Sequence, residues 1–191
     1  MGHGVTRVVT VLFADVRGFT RMAASRPPQE VVTIMNQFYQ ASTDILLQHD
    51  ACVDKFMGDQ IMVVFNSPIT AVDHADQALE SALAIDVAAR RLPGLEAGVN
   101  GLPVGMSIHT GEAVLGHVGS EEVKDFTAMG ATVNTGARLQ RYADAGEILV
   151  TEAAIAEMSR SVEGYERRQV EIPGAPEMLS VAVVRNAGRH G

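Results

Sequence analysis

The run Arg7-Val8-Val9-Thr10-Val11-Leu12-Phe13 constrains this chain more than any other stretch. It is apolar, rich in β-branched residues and free of turn formers, so it reads as a central strand that needs cover on both faces. Two amphipathic patterns can supply helices. From Pro28 to about His49, Val31, Ile34, Met35, Phe38 and Ile45 recur at helical spacing, and from Ile69 to Leu92, Ala75, Ala78, Leu79, Ala82 and Ile85 do the same. Between them CVDKFMGDQIMVVF, Cys52 to Phe65, reads as a hairpin with Asp59 at its tip. Val104 to His109 and Ala113 to Val118 read as two strands around Thr110-Gly111-Glu112, and the Gly/Pro-rich stretch from Pro93 to Gly105 as a connection. Thr132 to Tyr142 is helical in pattern, Glu147 to Val150 is a short strand and Glu152 to Ser159 a short helix. Val162 to Ile172 and Leu179 to Val184 form a closing hairpin.

The order strand, helix, two strands, helix, strand is the ferredoxin-like βαββαβ plan. The expected class is therefore α+β, with C-terminal additions and with helices on one face of a mainly antiparallel sheet. A single domain over 1–191, core about 6–185, fits the length of 191 residues. This reading suits a free-standing domain and a piece of a longer regulated protein equally.

Charge and composition exclude several functions. Fifteen basic against 23 acidic residues give a net charge of −8, so no basic face is offered to nucleic acid or anionic lipid. No apolar run approaches the roughly 20 residues that span a bilayer, so no membrane contact is expected from this segment. The single cysteine, Cys52, permits no internal disulfide and fits a reducing compartment, and the expected location is cytoplasmic. Six histidines lack the spacing of a zinc site, and there is no Gly-x-Ser-x-Gly elbow.

Chemistry concentrates at four places. Asp15 sits where the first strand runs out and Asp59 at the hairpin tip, and in a βαββαβ sheet those strands are neighbours. Converging carboxylates are hard oxygen donors suited to Mg²⁺ or Mn²⁺, although each Asp read alone fits a turn or a cap equally well. Gly18-Phe19-Thr20 leads into a helix start, where backbone N–H groups can cradle phosphate, but it matches neither glycine-rich phosphate-loop fingerprint. Asn134 and Arg138 share a helix face at i and i+4, open either to solvent or to a phosphate. Lys55 lies in the hairpin as a charge in an otherwise apolar setting.

Four blocks together, VLFADVRGFT, DKFMGDQIMVVF, HTGEAVLGHVGS and FTAMGATVNTGARLQ, resemble in order and spacing the catalytic domain of the class III adenylyl and guanylyl cyclases. The resemblance runs from about Val8 to Val184. It implies that Asp15 and Asp59, with the Val16 carbonyl, hold two divalent ions, Mg²⁺ or Mn²⁺, and that Gly18, Phe19 and Thr20 meet phosphate. It also implies that Lys55 and Thr127 read the base, as in a bacterial subgroup that prefers ATP, and that Asn134 and Arg138 orient the ribose and stabilise the transition-state phosphate. Activity would need a head-to-tail homodimer, with Asp15 and Asp59 supplied by one chain and the other four by its partner. The implied reaction turns ATP into 3′,5′-cyclic AMP and pyrophosphate, and a regulatory domain or partner outside this chain fits the same picture. The competing readings are guanylate cyclase activity, a catalytically silent nucleotide-binding or dimerisation module, and an RNA-binding sheet on the same plan. Lys55 opposes the first, the intact site residues the second, and charge with few aromatics the third.

Two positions depart from the family pattern. Ala131 stands where relatives carry Asp, which predicts a missing cap, and Pro173 falls where relatives carry a phosphate-binding Lys, with Arg167 or Arg168 as stand-ins.

Overall fold

The structure is a computed structural model that describes residues 4–94, 101–120, 124–175 and 177–186. Its strands are β1 (Val5–Val16), β2 (Cys52–Met57), β3 (Gln60–Phe65), β4 (Val104–Gly119), β5 (Lys124–Met129), β6 (Ile148–Thr151), β7 (Glu166–Val170) and β8 (Leu179–Val184). Its helices are α1 (Phe19–Ser25), α2 (Pro28–Leu47), α3 (His74–Ala89), α4 (Ala131–Leu139) and α5 (Glu152–Ile155), with a 3₁₀ turn at Gln140–Tyr142. The sheet runs β2-β3-β1-β4-β6-β8-β7, with β5 paired to β4 off that path. All pairings are antiparallel except β4 with β6. The first four positions have the ferredoxin-like order, and the C-terminal hairpin extends it as expected.

β1 is covered on both faces, as its composition demands. Leu12, Ala14 and Val16 meet Ile34 and Phe38 of α2 and Leu79, Ala82 and Ile85 of α3 in one core. Val9, Val11 and Phe13 point the other way, into a second core with Met62, Val64, Ala113, Leu115 and the α4 residues Val133 and Ala137. The expectation of helices on one face is therefore corrected, because α4 covers the opposite face. Gly136 makes that approach close: a Cβ there would stand 2.9 Å from Val11 and 3.0 Å from Phe13. Ser107 on β4 fixes the contact by donating to the Gly136 carbonyl at 2.8 Å.

The expected turn at Thr110-Gly111-Glu112 is also corrected. β4 is one continuous strand, and these residues pair with Thr10, Val9 and Val8 of β1. Gly111 is needed for space, since a Cβ there would come within 2.6 Å of Thr132 Oγ1, which donates to the Glu112 carbonyl. Two smaller differences concern α3, which begins at His74 rather than Ile69, and β5, which the sequence reading did not assign. Positions 95–100 of the Pro93 to Gly105 connection lie outside the described residues.

A third cluster ties the C-terminal hairpin to the end of α4 through Leu139, Ala143, Val170, Ile172 and Val181. Beside it, the Glu147 side chain is 4% exposed and receives both Arg168 nitrogens at 2.9 Å as well as Arg185. Burial pushes the Glu147 carboxyl up, but hydrogen bonds from Arg168, the Asp144 N–H and Arg185 outweigh it and hold the group at about 2. Because the folded value lies below the ordinary 4.5, the stabilisation is complete above pH 4.5 and is lost as pH falls through about 2. Glu147→Gln is expected to lower stability at neutral pH by about 3 kcal/mol, read as a fall in Tm that shrinks as the wild type is acidified.

Candidate active site

The end of β1 and the β2–β3 turn bring Asp15 and Asp59 together. The Val16 N–H donates to the Asp59 carbonyl at 3.2 Å, which pins the turn to the strand end. Tyr39 of α2 donates its hydroxyl to the Gly58 carbonyl and stacks on Phe56 at 4.5 Å between centroids, bracing the turn from the other side. Burial pushes the Asp15 carboxyl up and the Asp59 charge pushes it further, while Arg17, 3.6 Å away, and the Gln140 amide pull it down. Two carboxylates in mutual repulsion, with only acceptor oxygens to offer, fit a hard divalent cation, which would relieve that repulsion. No group of three or more His, Cys, Asp or Glu gathers among the described residues, so further ligands would be backbone carbonyl, water and substrate phosphate.

Gly18, in the left-handed region at φ 76°, caps α1 and turns the chain away from β1. Phe19 packs against the main core and Thr20 is exposed.

Lys55 and Thr127 lie far apart in sequence and meet at one carboxylate. Lys55 Nζ is 3.2 Å from Asp54 Oδ2, and the Thr127 hydroxyl donates to the same oxygen at 2.8 Å. Lys55 therefore pairs with Asp54, its neighbour in sequence.

Asn134 and Arg138 are exposed on α4 while Thr132, Gly136 and Leu139 on its other side are buried. They line a cavity of about 430 Å³ with His109, Ile172, Gly174 and Met178, and neither Asp15 nor Asp59 lines it. Arg138 Nη1 donates to the Pro173 carbonyl at 2.6 Å, so the backbone of the 170s loop holds the arginine. The stand-in role expected of Arg167 or Arg168 is corrected: Arg167 pairs with Glu152, and Arg168 with Glu147 and Glu166. The start of α4 has no side-chain cap, but the capping position is Gly130, and Ala131 is the first residue of the helix.

Two residues escaped the sequence reading. Asp54 carried no signal beyond standing next to Lys55. His109 lacks the spacing of a zinc ligand, yet it faces the Asn134–Arg138 cavity and its Nδ1 lies 3.0 Å from Thr151 Oγ1. Burial holds His109 at about 4, below the ordinary 6.5, so it is neutral at physiological pH. As pH falls from 6.5 toward 4, the unfolded chain takes up a proton that the folded chain excludes, and stability falls. The His109 share of that loss is at most about 3 kcal/mol. Burial also depresses His74, so His109→Gln is expected to flatten this part of the stability–pH curve without removing it, as measured by urea unfolding across pH.

Fold and site together define an α+β domain carrying a carboxylate pair at a strand end, a Lys55–Asp54–Thr127 cluster and a helix-borne Asn–Arg pair. The family described as "Adenylate and Guanylate cyclase catalytic domain" matches residues 3–184, and the chain belongs to it. Adenylate cyclase 1 of Rhizobium meliloti (strain 1021) is 35% identical over 137 residues, which are 69% of this chain and 20% of that protein. The chain thus spans about a fifth of that relative's length. Among solved structures, the guanylyl cyclase Cya2 superposes with a TM-score of 0.89 at 29% identity, covering 99% of this chain and 97% of that one. The adenylyl cyclase CyaB from P. aeruginosa does so with a TM-score of 0.86 at 25% identity, covering 98% of each. Among the described residues no helix is long and apolar enough to cross a membrane.

Proposed function

We propose that this domain is an adenylate cyclase that closes ATP to 3′,5′-cyclic AMP with release of pyrophosphate. The observation that carries this reading is the meeting of Lys55 and Thr127, from β2 and β5, at one buried carboxylate. The Lys55 ammonium donates to the adenine ring N1, where guanine would present a competing N–H, and the Thr127 hydroxyl accepts from the 6-amino group. Asn134 orients the ribose so that its 3′-oxygen faces the α-phosphorus. Arg138 presents its planar donors to the phosphoryl oxygens, whose charge grows in the transition state. Divalent cations held by Asp15, Asp59 and the Val16 carbonyl would supply Lewis-acid activation of the attacking oxygen and neutralise phosphate charge. Gly18, Phe19 and Thr20 are assigned to the phosphate end of the substrate.

The site is shared between two copies of the chain. The cavity that holds Asn134 and Arg138 is not lined by Asp15 or Asp59, which supports a head-to-tail homodimer in which each site draws on both chains. We place the domain in the cytoplasm, with regulation supplied by a further domain or partner.

Likeness to the guanylyl cyclase Cya2 makes GTP the second substrate to test. Purified protein incubated with ATP or GTP and either Mn²⁺ or Mg²⁺ is expected to release cyclic AMP faster than cyclic GTP, read by chromatography. No cyclic nucleotide under either metal would refute the enzyme reading, and equal use of GTP would refute the base preference.

A further inference from the structure

Asp54 belongs to neither the metal pair nor the base-reading pair, yet it touches both members of the latter. It lies on β2 where the pairing with β3 slips between Val53 and Lys55. Successive strand residues normally point to opposite faces, and an irregularity of this kind lets adjacent side chains bring their polar ends to one place. The Asp54 side chain is 3% exposed, and its Oδ2 serves both Lys55 Nζ and Thr127 Oγ1.

A threonine hydroxyl has one proton and two lone pairs, so alone it donates or accepts as the partner requires. Here the proton has only inward acceptors: Asp54 Oδ2 at 2.8 Å and, less closely, the Ala128 carbonyl at 3.4 Å. What remains for a ligand is lone pairs. An adenine 6-amino group, a donor, finds a partner, whereas a guanine 6-oxo group, an acceptor, meets another acceptor. Specificity of this kind rests on a repulsive contact as much as on an attractive one.

We infer that Asp54 sets the base preference of this domain by fixing the direction of the Thr127 hydroxyl, as a positioning residue that acts through Thr127. The inference rests on the reading that Thr127 faces the base. Replacing the carboxylate by an amide supplies a donor to Thr127 and frees the hydroxyl to donate outward.

The test is the ratio of kcat/KM for ATP to that for GTP, in variants shown to be folded by circular dichroism. Asp54→Asn is expected to lower the ratio about tenfold, chiefly by raising GTP use. Thr127→Ser, which keeps the hydroxyl, should hold the ratio, and Thr127→Val should lower it. In a Thr127→Val background, Asp54→Asn should change the ratio no further. A lowered ratio in Thr127→Val with an unchanged one in Asp54→Asn overturns the role of Asp54 alone. An equal effect of Asp54→Asn with and without the Thr127 hydroxyl also overturns it, since the carboxylate would then act through Lys55. An unchanged ratio in Thr127→Val overturns the base-reading assignment of Thr127, and the inference with it.

Discussion

Asp59→Ala is expected to lower the turnover of ATP by on the order of 10³-fold while leaving the domain folded. The side chain sits at a turn tip, half-buried, and the bonds that hold the turn do not use it. The Asp59 backbone carbonyl still accepts from Val16, and Tyr39 still donates to the Gly58 carbonyl and stacks on Phe56. What is lost is one of the two carboxylates offered to a divalent cation. Asp15 responds in a predictable direction, because part of what raises its carboxyl is the Asp59 charge. Removing that charge lets Asp15 ionise more readily and pair more fully with Arg17, and a lone carboxylate so paired is a poor cation site. Mn²⁺ titration should therefore show weakened binding in Asp59→Ala alongside the fall in turnover. Full activity with unchanged Mn²⁺ affinity would remove Asp59 from the site.

The sequence reached the fold where periodicity reports burial directly. From Val9 to Phe13 the first strand is buried on both faces, as its apolar run requires, while Val8 at its start is exposed, and α2 keeps its apolar stripe from Val31 to Leu46. It failed where a residue's local meaning differs from its tertiary one. Thr110-Gly111-Glu112 has the composition of a turn, but Gly111 is small to admit Thr132. The packing face of α4 presents Thr132, Gly136 and Leu139, too little apolar surface to announce which side of the sheet it covers. Asn134 and Arg138 were legible because i and i+4 on one helix fixes a shared face, and they do line one cavity. Asp54 was not, since its meaning depends on Thr127, 73 positions away, arriving through the β4–β5 pairing.

Mixing Asp59→Ala chains with Arg138→Ala chains, each inactive alone, is expected to restore activity to about a quarter of wild type, if equal amounts associate at random. The arithmetic follows from symmetry: half of the dimers are then mixed, and each mixed dimer carries one site with Asp59 and Arg138 both intact and one site lacking both. Arg138→Ala should fold, because the arginine is exposed and its bond is to the Pro173 carbonyl, which water can satisfy in its place. The two defects also lie in separate parts of the chain. Asp59 stands at the β2–β3 turn beside Asp15, while Arg138 stands on α4 in a cavity that neither carboxylate lines. If one chain supplied a whole site, every mixed dimer would hold two dead sites and the mixture would stay inactive. Co-purification of the untagged variant with an affinity-tagged copy of the other, to establish that mixed dimers form, followed by cyclic AMP production at equal total protein, separates the two arrangements. A mixture that stays dead although mixed dimers are present refutes the shared site, and recovery near one quarter shows that Asp59 of one chain and Arg138 of the other meet in one site.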